Sequence, residues 1–143
     1  MTIVLEMSAA ADIVGTPLDH SWPAETERRN WAAVTTMTPT LPGGAVIVVV
    51  AHGNNTHIGN VVATIAPEQF LATVQGNMQP GQEPSAIYIS TCGVGIAQYA
   101  AGVRLSAKNN GIWANTRIFG HASSVAGPVP SPAQTHLTWV EIF

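Results

Sequence analysis

One segment constrains this chain more than any other. Residues 45–51 read AVIVVVA, seven apolar residues in a row and mostly β-branched. A strand with one wet face alternates apolar and polar residues. An unbroken apolar run suits a strand covered on both faces, as in the parallel sheets of α/β proteins. A second run, SAIYIST over Ser85–Thr91, has the same character. Between them Pro67-Glu68-Gln69 opens a helix to about Met78, with Phe70, Leu71, Val74 and Met78 on one apolar stripe.

The remaining punctuation extends this pattern. Thr2–Met7 reads as a short strand. Pro23–Val34 is predicted to be a helix, with proline near its first turn and Glu25 and Glu27 at the positive end of its dipole. Residues 35–44 form a loop, and so does the polar, glycine-rich HGNNTHIGN. Ile96–Lys108 is a second long helix, closed by Asn109-Asn110-Gly111. Ile112–Phe119 is expected to be a third strand, His121–Pro132 a loop and His136–Phe143 a last strand. Strand–helix–strand–helix–strand predicts an α/β fold: a mainly parallel central sheet flanked by helices, in three layers. The 143 residues fit one domain over 1–143. Folding a chain of 14.9 kDa removes roughly two-thirds of its surface from water, enough for a core without staples.

Composition narrows the function. Charged residues make up 9% of the chain, against about 25% in an average domain. Five Lys+Arg and a net charge of −3 leave too little positive charge for a nucleic-acid binder. A seven-residue apolar run is far short of the about 20 residues a transmembrane helix needs. The N-terminus has no basic region and carries Glu6 within its apolar stretch, so no signal peptide is read there. A cytoplasmic location, or secretion without a recognisable signal, remains open, as does the oligomeric state. A lone cysteine, Cys92, excludes an internal disulfide.

In open parallel sheets ligands bind beyond the carboxyl ends of the strands. His52-Gly53 ends the first buried run and Cys92-Gly93 the next. If the two strands are adjacent, about 4.8 Å apart, imidazole and thiol come within reach. The imidazole can take the thiol proton, and the helix start after Cys92 favours the thiolate. Gly53 and Cys92 can offer backbone N–H groups to a carbonyl oxygen as an oxyanion hole.

With VIVVVAHGNN and IYISTCGVG in this order, the chain resembles the caspase-like (clan CD) cysteine peptidases. It is most similar to their bacterial branches, the self-processing domains of large toxins and the CHAT-type peptidases. The likeness covers about residues 45–110. The discriminating feature is His first, Cys second, 40 residues apart. The resemblance implies a caspase-like sandwich and a His52–Cys92 dyad that hydrolyses a peptide or protein substrate through an acyl-enzyme, with no cofactor or metal. Ser90 and Thr91 stand where several members carry an acidic residue, which implies a neutral rather than a basic P1 side chain. Asn54, His57, Thr91, His121 and Ser123 are candidates to line the substrate cleft.

Other readings compete. His121, in FGHASS at the end of the third expected strand, is the rival base. Cys92 with His121 gives a Cys-first hydrolase or toxin-type deamidase. Cys92 as a buried structural thiol gives a non-catalytic binding domain. A zinc site from His52, His57 and His121 lacks any HExxH or CxxC support. Gly93-Val94-Gly95 is no dinucleotide loop, because Gln98 takes the third glycine position and no acidic residue lies between Glu83 and Glu141.

Overall fold

The computed structural model describes residues 2–53, 58–59, 64–91, 95–121, 128–132 and 139–143. Its elements are β1 (Thr2–Glu6), β2 (Glu25–Arg29), α1 (Trp31–Thr36), β3 (Val46–Gly53), β4 (Ile58–Gly59), β5 (Thr64–Ile65), α2 (Pro67–Asn77), β6 (Ala86–Thr91), α3 (Ile96–Asn110), β7 (Arg117–His121) and β8 (Trp139–Ile142). The main sheet runs β2-β1-β3-β6-β7-β8. Its first five strands are parallel, and β8 is antiparallel to β7. The two apolar runs are central and adjacent, as expected, in the register Val46↔Ala86 to Ala51↔Thr91. The chain is thus α/β, with a mainly parallel sheet and helices packed on it.

Connection direction explains the layers. A parallel crossover is right-handed, so its direction along the sheet decides which face it covers. The crossovers β2→β3, β3→β6 and β6→β7 all run the same way. Their helices α1, α2 and α3 share one face, over a core of Leu5, Ile47, Val49, Ile87, Ile89 and Ile118. The crossover β1→β2 runs the other way, and its residues lie on the opposite face. There Ile13 and Trp22 pack on Val4, Val48, Val50, Tyr88 and Phe119. Among the described residues that third layer is irregular chain. It is stitched by Trp22 Nε1, which donates to the Val129 carbonyl at 2.9 Å, and by the Asp19 N–H, which donates to the same oxygen at 2.9 Å.

Both parities of β3 are therefore covered: Val48 on the coil side and Val49 on the helix side are each 0% exposed. The stripe of α2 is buried as expected through Phe70, Leu71 and Val74, with Met78 just beyond the helix. Gly111 ends α3 in the left-handed conformation. Gly120 matters for close approach. A Cβ there would meet the Ile96 carbonyl at 2.9 Å and Ala97 Cα at 3.0 Å, so only glycine lets the first turn of α3 sit directly on β7.

Three expectations need correction. The helix expected over Pro23–Val34 is an edge strand, β2, followed by the short α1. Asn30 divides them, its Oδ1 accepting the Ala33 N–H at 2.9 Å as an N-cap. The strand wins because tertiary partners outweigh propensity. Arg28 Nη1 reaches Glu6 Oε2 at 2.9 Å. Arg29 Nη1 donates to Asn77 Oδ1 and to the Thr38 carbonyl, both at 2.8 Å. The third strand starts at Arg117, not Ile112, because 112–116 is a turn held by side chains. Trp113 N donates to Glu83 Oε2 at 2.9 Å, Trp113 Nε1 to Gln75 Oε1 at 2.7 Å, and Thr116 Oγ1 to the Pro84 carbonyl at 2.7 Å. Finally, HGNNTHIGN is not all loop: His52 and Gly53 extend β3, and β4 folds back on them. No helix of the described chain is long and apolar enough to cross a membrane.

Candidate functional site

The sequence of crossovers also locates the crevice. β1 sends its chain to the coil face and β3 sends its chain to the helix face. The two strands are neighbours, so their carboxyl ends flank the point where the topology reverses, the preferred ligand position in open α/β sheets.

On the coil side, alternation brings a polar row to this edge. Glu6, Ser90 and His121 carry the parity of Val4, Tyr88 and Phe119 on β1, β6 and β7, and His52 that of Val48 and Val50 on β3. Glu6 is 2% exposed. Its Oε2 accepts from Arg28 Nη1 and from the Gly15 N–H, each at 2.9 Å. It thereby ties the 11–15 turn down over the end of β1. Ile13 of that turn packs into the coil-side core.

The same turn carries Asp12. Its Oδ1 lies 2.9 Å from His52 Nε2, with the two side chains 65% and 35% exposed. His52 is in register with Gly59, and Gly53 with Ile58, so the antiparallel β4 fixes the backbone beneath the imidazole. A carboxylate on one ring nitrogen orients the ring. That is what a general base needs from its neighbour.

His121 is held differently. It is 3% exposed and edge-on to Trp139, with ring centroids 5.6 Å apart. Its Nε2 accepts the Thr91 N–H at 3.2 Å. A nitrogen that accepts from a backbone amide can take a proton only by giving up that bond. His121 and Thr91 thus brace β7 against β6, and the side-chain parity of Thr91 is that of Ile87 and Ile89, toward the helices.

Among the residues expected at the site, the structure brings His52 and Gly53 to the β3 end and Thr91 and His121 to the neighbouring ends of β6 and β7. Cys92, Asn54, His57 and Ser123 lie outside the described residues, as does His136. His20 is far out in solvent, 97% exposed, beside Asp19 at 3.6 Å. Among the described residues no group of three His, Cys, Asp or Glu is gathered closely enough to hold a metal. Asp12 and Glu6 are the residues that sequence reasoning missed. Neither stands in a motif. The only signal was Glu6 itself, a charge inside the apolar TIVLEM stretch.

Comparison with models of protein families, with curated proteins and with solved structures gives no match.

Proposed function

We propose that this chain is a cysteine hydrolase, a peptidase of the caspase-like class, in which His52 is the base for Cys92 and Asp12 orients His52. The observation that carries the reading is the parallel β3–β6 register, which ends at Ala51↔Thr91, with His52 the next residue of β3 and Cys92 the next in sequence after Thr91. The reading requires this register to continue by one rung, which would bring imidazole and thiol onto neighbouring strands about 4.8 Å apart. His52 has the parity of the coil-side residue Val50.

In this mechanism Asp12 occupies Nε2, and the imidazole takes the thiol proton through Nδ1. The Cys92 thiolate attacks the scissile carbonyl. The oxyanion is met by the Gly53 and Cys92 N–H groups. Imidazolium returns its proton to the departing amine, leaving a thioester. Water, deprotonated by the same imidazole, then hydrolyses the thioester and frees the thiol. Helix α3, which starts at Ile96 four residues after Cys92, turns its positive end toward the same edge and favours the thiolate. The Thr91–His121 bond speaks against the Cys-first alternative, because it engages the rival base.

The test is a peptide library with the cleavage products read by mass spectrometry. The wild-type chain cuts it and Cys92→Ala does not. Cleavage that survives in Cys92→Ala excludes the reading. A library left whole by the wild type favours a binding domain.

A further inference from the structure

The opposite edge of the sheet holds a cavity of about 530 Å³, between the end of α3, the start of β7 and the end of β8. The strand rise separates Arg117 at the start of β7 from His121 at its end by about 13 Å, so this cavity is distinct from the His52 crevice.

Its charge is unusual for this chain. Arg104, Lys108 and Arg117 all line it, three of only five Lys+Arg in the sequence. Glu141 is the one carboxylate side chain in the lining, against three cationic side chains in a chain of net charge −3. Glu141 is already engaged by Arg117, at 2.7 Å. Arg104 is 8% exposed. Its Nη1 donates to the Trp113 carbonyl at 2.9 Å and its Nη2 to the Thr116 carbonyl, while its buried Nε makes no hydrogen bond among the described residues. No carboxylate stands in ion-pair contact with Arg104 or Lys108 among the described residues. A buried guanidinium hydrogen-bonded only to carbonyls is costly, and burial pulls its pKa down against the attraction of Glu141. An anion in the cavity relieves that cost. Between the cations the wall is apolar, through Ile112, Ala114 and Ile142.

The geometry points to a binding site for a small organic anion, a carboxylate carried on an apolar body. The head group meets Lys108 in the field of Arg104, and the body lies on Ile112 and Ile142. The volume lies within the range of small-ligand pockets. Cys92 takes no part, so this site stands or falls independently of the hydrolase reading.

Octanoate is a suitable probe, with octanamide as its uncharged counterpart, in calorimetric titrations of the whole chain. Octanoate is expected to bind at least tenfold more tightly than octanamide and to shift the methyl resonances of Ile112 and Ile142. Lys108→Glu, at an exposed position that leaves the fold intact, is expected to weaken octanoate at least tenfold and octanamide hardly at all. Three results each overturn the site: no octanoate binding, equal affinity for the two probes, or methyl shifts confined to other parts of the molecule.

Discussion

The two faces of the sheet are built from the same strands but are closed in opposite ways. The helix side is dry: from β1, β3, β6 and β7 it takes Leu5, Val49, Ile89 and Ile118. The coil side begins equally apolar, with Val4, Val48, Tyr88 and Phe119. Toward the carboxyl edge it turns polar, with Glu6, Ser90, His52 and His121. Helices satisfy their own backbone and need only an apolar stripe beneath them. Irregular chain must find partners for its N–H and C=O groups, and the buried strand positions under it supply some of them. Gly15 donating to Glu6 is one case. The face that needs polar anchors is also the face that can display chemistry.

The strongest way to break this comparison is to remove its main anchor. Glu6→Ala leaves the Gly15 N–H without its carboxylate and strips Arg28 of its buried partner. We expect a loss of about 2–3 kcal/mol, read by chemical denaturation. The corresponding deletion on the helix side leaves no polar group stranded. A loss below about 0.5 kcal/mol would show that the turn holds without Glu6.

Val48→Ala and Val49→Ala sharpen the contrast. Each removes one buried methyl pair, one from each face, and each is expected to cost about 1–3 kcal/mol. A cost under about 0.3 kcal/mol at Val48 alone would show the coil layer to be open to solvent.

Asp12→Asn has a smaller effect. The pair is partly exposed, and such ion pairs are worth about 0.2–1 kcal/mol, so the reactivity of Cys92 should fall no more than about fivefold. A far larger loss would mean that Asp12 does more than orient the ring.

The smallest effect is at Glu141, on the exposed β7–β8 ladder. The hydrogen bond from Arg117 holds this carboxyl below the usual glutamate range. A carboxylate so depressed contributes stability above its ordinary pKa and loses it as the pH falls through the lowered value. Glu141→Gln should lower the thermal midpoint slightly at neutral pH, and the difference should vanish in acid. A difference that persists in acid would have a cause other than this charge.

Much of this was legible in the residues. AVIVVVA and SAIYIST announced two central strands because a doubly buried strand has no room for alternation. Phe70, Leu71 and Val74 announced a helix on one face because their spacing is helical. Glu25–Arg29 misled because its charges suit a helix start as well as an edge strand. Only the partners Glu6 and Asn77, distant in sequence, decide between the two. His52 and Gly53 could be placed at a strand end from the run before them. Asp12 could not, since its contact with His52 spans 40 residues and depends on β1 lying beside β3.

The central claim is that the coil-side edge activates Cys92 through His52 and not through His121. The most direct measurement is the pH dependence of iodoacetamide alkylation of Cys92 in the wild type, His52→Ala and His121→Ala. The account predicts rapid labelling of the wild type at pH 6, where an ordinary thiol of pKa about 8.5 is almost wholly protonated. It predicts that His52→Ala moves the labelling profile up toward that ordinary value, and that His121→Ala keeps the low-pH reactivity. Slow labelling of the wild type at pH 6, or a profile that shifts with His121→Ala and not with His52→Ala, would contradict it.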